Sequence, residues 1–115
     1  MRRGEVWLVE LDPARGSKAN KVRPAVLVSN DAANEVSGRL GRGTVTVVPV
    51  TSSASRAFPF QVALAAGEGG LERESKAQAE QVRSLDVTRL ERRLGALSPT
   101  RVGELDSALR IQLDL

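Results

Sequence analysis

The side chains here that could do chemistry are fourteen arginines, a hydroxyl-rich run from Thr51 to Ser55 and scattered glutamates, because the 115 residues include no histidine, cysteine or tyrosine. Imidazole bases, thiol nucleophiles, structural zinc sites and disulfides are excluded. No Ser-His-Asp or Cys-His arrangement can be assembled, and the two glycine clusters lack GxGxxG or P-loop spacing, so both read as turns. What remains suits phosphoryl chemistry. Arginine offers a planar fork of donors to non-bridging oxygens and stays charged at every working pH. A magnesium site built from Glu72, Glu74 and Glu80 is conceivable, but hard cations need convergent oxygens. Those residues are spread through a basic, turn-rich stretch, where solvated surface is the better reading.

The frame that must position such groups is small. A chain of 115 residues, 41% hydrophobic and 27% charged, makes one globular domain spanning residues 1–115. Fourteen arginines and three lysines against fourteen acids leave a net charge of +3, a mild bias towards anionic partners. The apolar run after the basic amino terminus is broken by Glu10 and Asp12, and no stretch approaches the ~18 apolar residues of a membrane span. The expected compartment is the cytoplasm.

Residues 5–11 read as a strand punctuated by Asp12-Pro13, and residues 12–22 as a basic loop without a periodic apolar face. PAVLVS, residues 24–29, is a short buried strand. A short helical turn and a glycine-punctuated basic loop carrying Arg39 and Arg42 are expected over 31–43. TVTVVPVT, residues 44–51, is the strongest strand signal, with Pro49 implying an edge, a bulge or a strand end. Residues 58–64 form the next strand, expected to pair with 44–51 as a long-tipped hairpin. A turn at 67–70, one strand or two interrupted ones over 75–85 and a last strand at 93–97 follow. Ser98 and Pro99 open an amphipathic helix carrying Val102, Leu105, Ala108, Leu109 and Leu113. Short strands closed by one such helix predict a mainly β fold, a small barrel or strongly bent sheet capped by the helix.

GEVWLVELDPARGSKANKVRPAVLVSN (4–30), VTVVPVTSSASRAFPFQVAL (45–64) and AEQVRSLD (79–86) resemble the MazF/PemK family of toxin endoribonucleases in order, spacing and residue type. The resemblance covers nearly the whole chain. It implies an SH3-like β-barrel of the MazF/PemK/CcdB-like kind with a carboxy-terminal helix, a homodimer and a MazE-like antitoxin partner. It also implies cofactor-free, metal-independent cleavage of single-stranded RNA at short sequence motifs. By the same resemblance Arg23 stands at the catalytic arginine and Thr51 at the catalytic threonine. Glu80 is a possible acid or base, and Ser52, Phe60, Gln78, Gln81 and Arg83 fall on segments that line the RNA site. The loop residues Arg15, Ser17, Lys18, Asn20 and Lys21 lie where relatives gate that site. Lys18 and Val22 replace an acid and a histidine found in some members, and Gln78 and Glu80 replace an arginine-aspartate pair, so those roles are not carried over.

RNA supplies its own nucleophile, the ribose 2'-hydroxyl, which fits a chain without histidine: the enzyme has only to orient, move a proton and stabilise charge. Taken alone, Arg23 is a strand-end charge and Thr51 an ordinary β position. Of Phe58 and Phe60, one is expected to pack inside; Trp7 reads as core or dimer interface, and Arg39, Arg42 and Arg56 as solvated charges. Two other readings stand beside the ribonuclease: a CcdB-like toxin acting on a protein target, and a non-catalytic nucleic-acid-binding barrel. The 3% aromatic content disfavours the last.

Overall fold

In the computed structural model, which describes residues 1–11 and 22–115, seven antiparallel strands lead into a terminal helix. The strands are β1 (Glu5–Glu10), β2 (Val22–Leu27), β3 (Thr44–Ser52), β4 (Gln61–Leu64), β5 (Ser75–Gln78), β6 (Arg83–Asp86) and β7 (Leu90–Ala96). Helix α1 (Asp31–Leu40) lies between β2 and β3, and α2 (Pro99–Leu113) ends the chain. Strand order is β4-β5-β3-β2-β1-β7, with β6 also on β3. The sheet is not closed: among the described residues β4 and β7 do not pair, so the closed barrel is corrected to an open sheet. Helix α2 packs on the sheet at β4, burying Leu105 and Ala108 in the cluster of Val6, Val26, Val48, Val50, Val62, Leu64 and Ala77.

Strand β3 organises the sheet because it changes partners half-way. Residues 44–47 pair with β6 and residues 50–52 with β5, while residues 47–49 pair with β2 on the other side. Pro49 sits in the two-residue gap between β6 and β5, where its missing N–H costs no bond to either strand. A position expected at an edge or bulge is therefore a handover point inside the sheet. The expected β3–β4 hairpin does not form; β5 lies between those strands and pairs with both. In this order Val50, Ala77 and Val62 form one cross-strand row inside a single apolar cluster.

Alternation along β2 and β3 separates two cores. Val26 and Val48 face the α2 side, whereas Ala25, Leu27 and Val47 join Val9, Val45 and Val87 in a second cluster, flanked by Trp7. Trp7 is thus a core-edge residue, its indole donating to Glu5 at 3.0 Å. Residues 31–40 form a ten-residue helix rather than a turn, capped by the Asn30 side chain and ended by Gly41 in the left-handed conformation, φ 67°. Its buried positions are the polar Asn34 and Ser37, while its apolar Val36 and Leu40 are exposed, so the buried face is not the one an apolar periodicity would mark. Ser98 caps α2 as expected, but Leu113 is half exposed, like its neighbour Ile111. Among the described residues no helix is long and apolar enough to cross a membrane.

Candidate active site

The β2–β3 ladder ends at Ala25 opposite Pro49. Arg23 and Thr51 each lie two residues beyond that pair, and strand alternation therefore puts both on one face. Arg23 also stands opposite Val9, a member of the second core, which fixes the face independently. Across the other edge of β3, Thr51 is opposite Lys76, which is opposite Ala63. Two cationic residues, Arg23 and Lys76, thus flank one threonine across three adjacent strands.

Lys76 is absent from the sequence-derived candidates and is the principal addition. Its ammonium donates to the Ser55 hydroxyl at 2.9 Å, and among the described residues it has no carboxylate partner. Its signal was the alternation of Ser75, Lys76, Ala77 and Gln78, which puts Lys76 on the Thr51 face and Ala77 in the core. Gln78 shares the Lys76 face and stands opposite Gln61. Ser52 has the opposite parity, faces Ser75 and lines a cavity of about 380 Å³. Arg23, Arg73, Arg92 and Glu72 supply charge to that cavity over an apolar floor that includes Leu8, Pro24 and Leu94.

Phe58 and Phe60 stack on each other, ring centroids 5.4 Å apart and planes within 4°. Neither joins a core cluster, which corrects the expectation that one packs inside. The physical reason is the turn before β4: Phe58 accepts from the Gln61 amide at 2.8 Å, so both rings lie in the turn and outside the strand. The Gln61 side chain fixes this turn by accepting from the Phe58 N–H at 3.2 Å and donating to Glu80 Oε2 at 2.7 Å. Glu80 Oε1 is buried without a hydrogen-bond partner among the described residues.

Arg83 donates to the backbone and side-chain oxygens of Gln81, both at 3.3 Å, and is opposite Val47 in the β3–β6 pairing. Four strand residues, roughly 13 Å, separate that position from Thr51. Arg23, Thr51 and Gln78 thus share a face, Arg23 also reaches the cavity that Ser52 lines from the opposite face, and Arg83 lies further along β3. Arg15, Ser17, Lys18, Asn20 and Lys21 lie outside the described residues. Glu72, Glu74 and Glu80 do not form a metal-ligand group, and no three acidic side chains converge among the described residues.

The wall carrying Glu72 and Arg73 follows a glycine turn, Glu68–Gly70, whose backbone touches β7. Arg101 of α2 grips Glu68 through two guanidinium nitrogens at 2.9 and 3.1 Å. Those bonds, followed by one from the Ala65 N–H, hold the Glu68 carboxyl below the usual carboxylate range.

A family model described as the PemK-like, MazF-like toxin of type II toxin-antitoxin systems matches residues 2–113. The chain belongs to the PemK/MazF toxin family. Endoribonuclease MazF9 of Mycobacterium tuberculosis is 57% identical over 115 residues, 100% of this chain and 98% of that protein. An endoribonuclease from a mycobacterial species, solved with its cognate antitoxin, matches with a TM-score of 0.78 at 25% identity, covering 100% of this chain and 96% of that one. MazF from Deinococcus radiodurans matches with a TM-score of 0.76 at 27% identity, over 100% and 97% of the two chains. The resemblance drawn from the sequence, and the mainly β fold with a terminal helix, are borne out for this PemK/MazF toxin.

Proposed function

We propose that this chain is an endoribonuclease toxin that cuts single-stranded RNA at short sequence motifs without a metal ion, with Arg23 and Thr51 as its catalytic pair. The register of β2 and β3 carries the reading, because it sets an arginine and a hydroxyl on one face where, among the described residues, neither side chain has a hydrogen bond or ion pair. Full-length identity of 57% to a protein named endoribonuclease supports the activity. The 2'-hydroxyl oxygen bonds to the adjacent phosphorus, the bond from phosphorus to the 5' oxygen breaks, and a 2',3'-cyclic phosphate and a 5'-hydroxyl end result. A 3'-phosphate follows if the cyclic ester is hydrolysed.

Arg23 stabilises the charge that builds on the non-bridging oxygens and hydrogen-bonds the departing 5' oxygen, while Thr51 orients a phosphate oxygen or the 2'-hydroxyl. Glu80 is the candidate to take the proton of the 2'-hydroxyl, and water supplies the proton that the departing 5' oxygen needs to leave as a hydroxyl. Ser52, Phe60, Gln78, Gln81 and Arg83 serve as RNA contacts, joined by Arg15, Ser17, Lys18, Asn20 and Lys21. The toxin works as one domain and a homodimer in the cytoplasm, on messenger RNA. The mycobacterial relative solved with its cognate antitoxin supports an antitoxin partner, here MazE-like, whose extended acidic and apolar segment lies across the basic groove and displaces the loop after Asp12.

The deciding experiment incubates a long single-stranded RNA with purified protein in EDTA and maps every fragment end. Recurrent cuts with 5'-hydroxyl ends are expected, falling at least about 10²-fold in Arg23→Ala and Thr51→Ala. If both variants lose RNA affinity but keep their turnover rate, the catalytic assignment is wrong. Absence of cleavage by wild type, with or without magnesium, rejects the ribonuclease reading.

A further inference from the structure

The cavity beside Arg23 holds three guanidinium groups, from Arg23, Arg73 and Arg92, against one carboxylate, Glu72. Among the described residues none of these three guanidinium groups has a hydrogen bond or ion pair, whereas those of Arg2, Arg3, Arg93 and Arg101 are paired with acids. Unpaired guanidinium groups converging on one concavity leave their donors for an external anion.

The fold builds this convergence from distant parts of the chain. Arg92, Leu8 and Pro24 stand in one cross-strand row over β7, β1 and β2, which spaces the backbones of Arg92 and Pro24 roughly 10 Å apart across an apolar floor. Arg73 closes the third side. Its carbonyl accepts from the Ser75 hydroxyl at 2.8 Å, and the next residue's carbonyl accepts from the Ser53 N–H at 3.1 Å, which ties this wall to the end of β3. About 380 Å³ suits one nucleotide, whose base would lie on the floor while its phosphates meet the arginines at the rims.

We propose that this cavity is a subsite for the nucleotide next to the cleaved bond, in which Arg73 and Arg92 hold the adjoining phosphodiester while Arg23 acts on the cleaved one. The inference rests on the ribonuclease reading above and adds two positioning residues to it. An acidic peptide is the other anion these arginines could take; the apolar floor of Leu8, Pro24 and Leu94, lined together with Arg23, favours a base.

The test uses the full chain and an RNA oligonucleotide carrying the mapped cleavage site. Arg73→Gln and Arg92→Gln should each raise KM about tenfold with kcat within about twofold, and Arg73→Lys and Arg92→Lys should recover most of the loss. Binding of the same oligonucleotide with a 2'-deoxy nucleotide at the cleaved position should lose about 0.7 from its log-log salt slope per arginine removed. One neutral methylphosphonate beside the cleaved bond should weaken binding to wild type but not further weaken binding to the double Gln variant. Unchanged KM and salt slope in a folded double variant, with wild type still cutting RNA, would overturn the subsite and leave the ribonuclease standing. The same result together with lost binding of an acidic peptide would reassign the arginines to a protein partner. If wild type neither binds nor cuts RNA, the ribonuclease reading and the subsite fall together.

Discussion

Lys76 stands directly opposite Thr51 in the β3–β5 ladder, and with only 8% of its surface exposed its ammonium is held by a hydroxyl, Ser55 Oγ, at 2.9 Å. Burying a cation without a carboxylate partner costs free energy, so the arrangement works against stability while placing positive charge beside the threonine. Lys76→Met is expected to raise stability by about 1 kcal/mol and to lower kcat/KM on RNA about tenfold. Thermal unfolding and a cleavage assay on the same preparation check it; a lower Tm would show that the ammonium is well compensated.

Phe58 is 59% exposed and contributes to neither core, yet its ring is held parallel to Phe60. A pre-ordered aromatic surface of this kind stacks unpaired bases. Phe58→Ala should weaken binding of single-stranded RNA about tenfold and shift Tm by less than about 2 °C. Fluorescence anisotropy beside a melting curve separates the two effects, and a large fall in Tm with unchanged affinity would assign the ring to folding.

Gly95 faces backbone atoms alone: a Cβ there would lie 2.7 Å from the Gly69 carbonyl carbon and 2.9 Å from Gly70 N. Backbone cannot give way as a side-chain tip does. Gly95→Ala should cost about 2 kcal/mol, near 8 °C in Tm, by pushing the Glu68–Gly70 turn off β7. Gly103→Ala is the control, since nothing lies within 4 Å of its added Cβ inside α2, and it should stabilise by about 0.5–1 kcal/mol.

The Glu68–Arg101 fork ties that turn to α2. Because the Arg101 hydrogen bonds depress the folded-state pKa of Glu68, the carboxylate's contribution is fully present above the unfolded value of about 4.3 and is lost as pH falls through the lower, folded one. Side chains 29% and 31% exposed keep it near 1 kcal/mol. Glu68→Gln should therefore melt lower than wild type at pH 7, with the gap closing below about pH 4. A constant gap across that range would mean packing, not charge, joins the two elements.

Local rules determined a large part of this protein. The β-branched run of 44–51, the Ser98-Pro99 helix start and the turn at 67–70 follow from propensity and capping over a few residues, and the absence of histidine and cysteine restricts the chemistry without any structure. Arg23 and Thr51 could be named because a family pattern survives in order and spacing. Tertiary structure decided what depends on pairing between distant segments: that β5 separates β3 from β4, that Pro49 falls between two partners, and that the sheet stays open under α2. Helix α1 escaped because the polar Asn34 and Ser37 fill its buried face, Asn34 held by hydrogen bonds to Ser29 instead of apolar contact. Lys76, Arg73 and Arg92 escaped for a related reason: each is one charge in an arginine-rich chain, and only strand register and the close glycine contact on β7 bring them to the site.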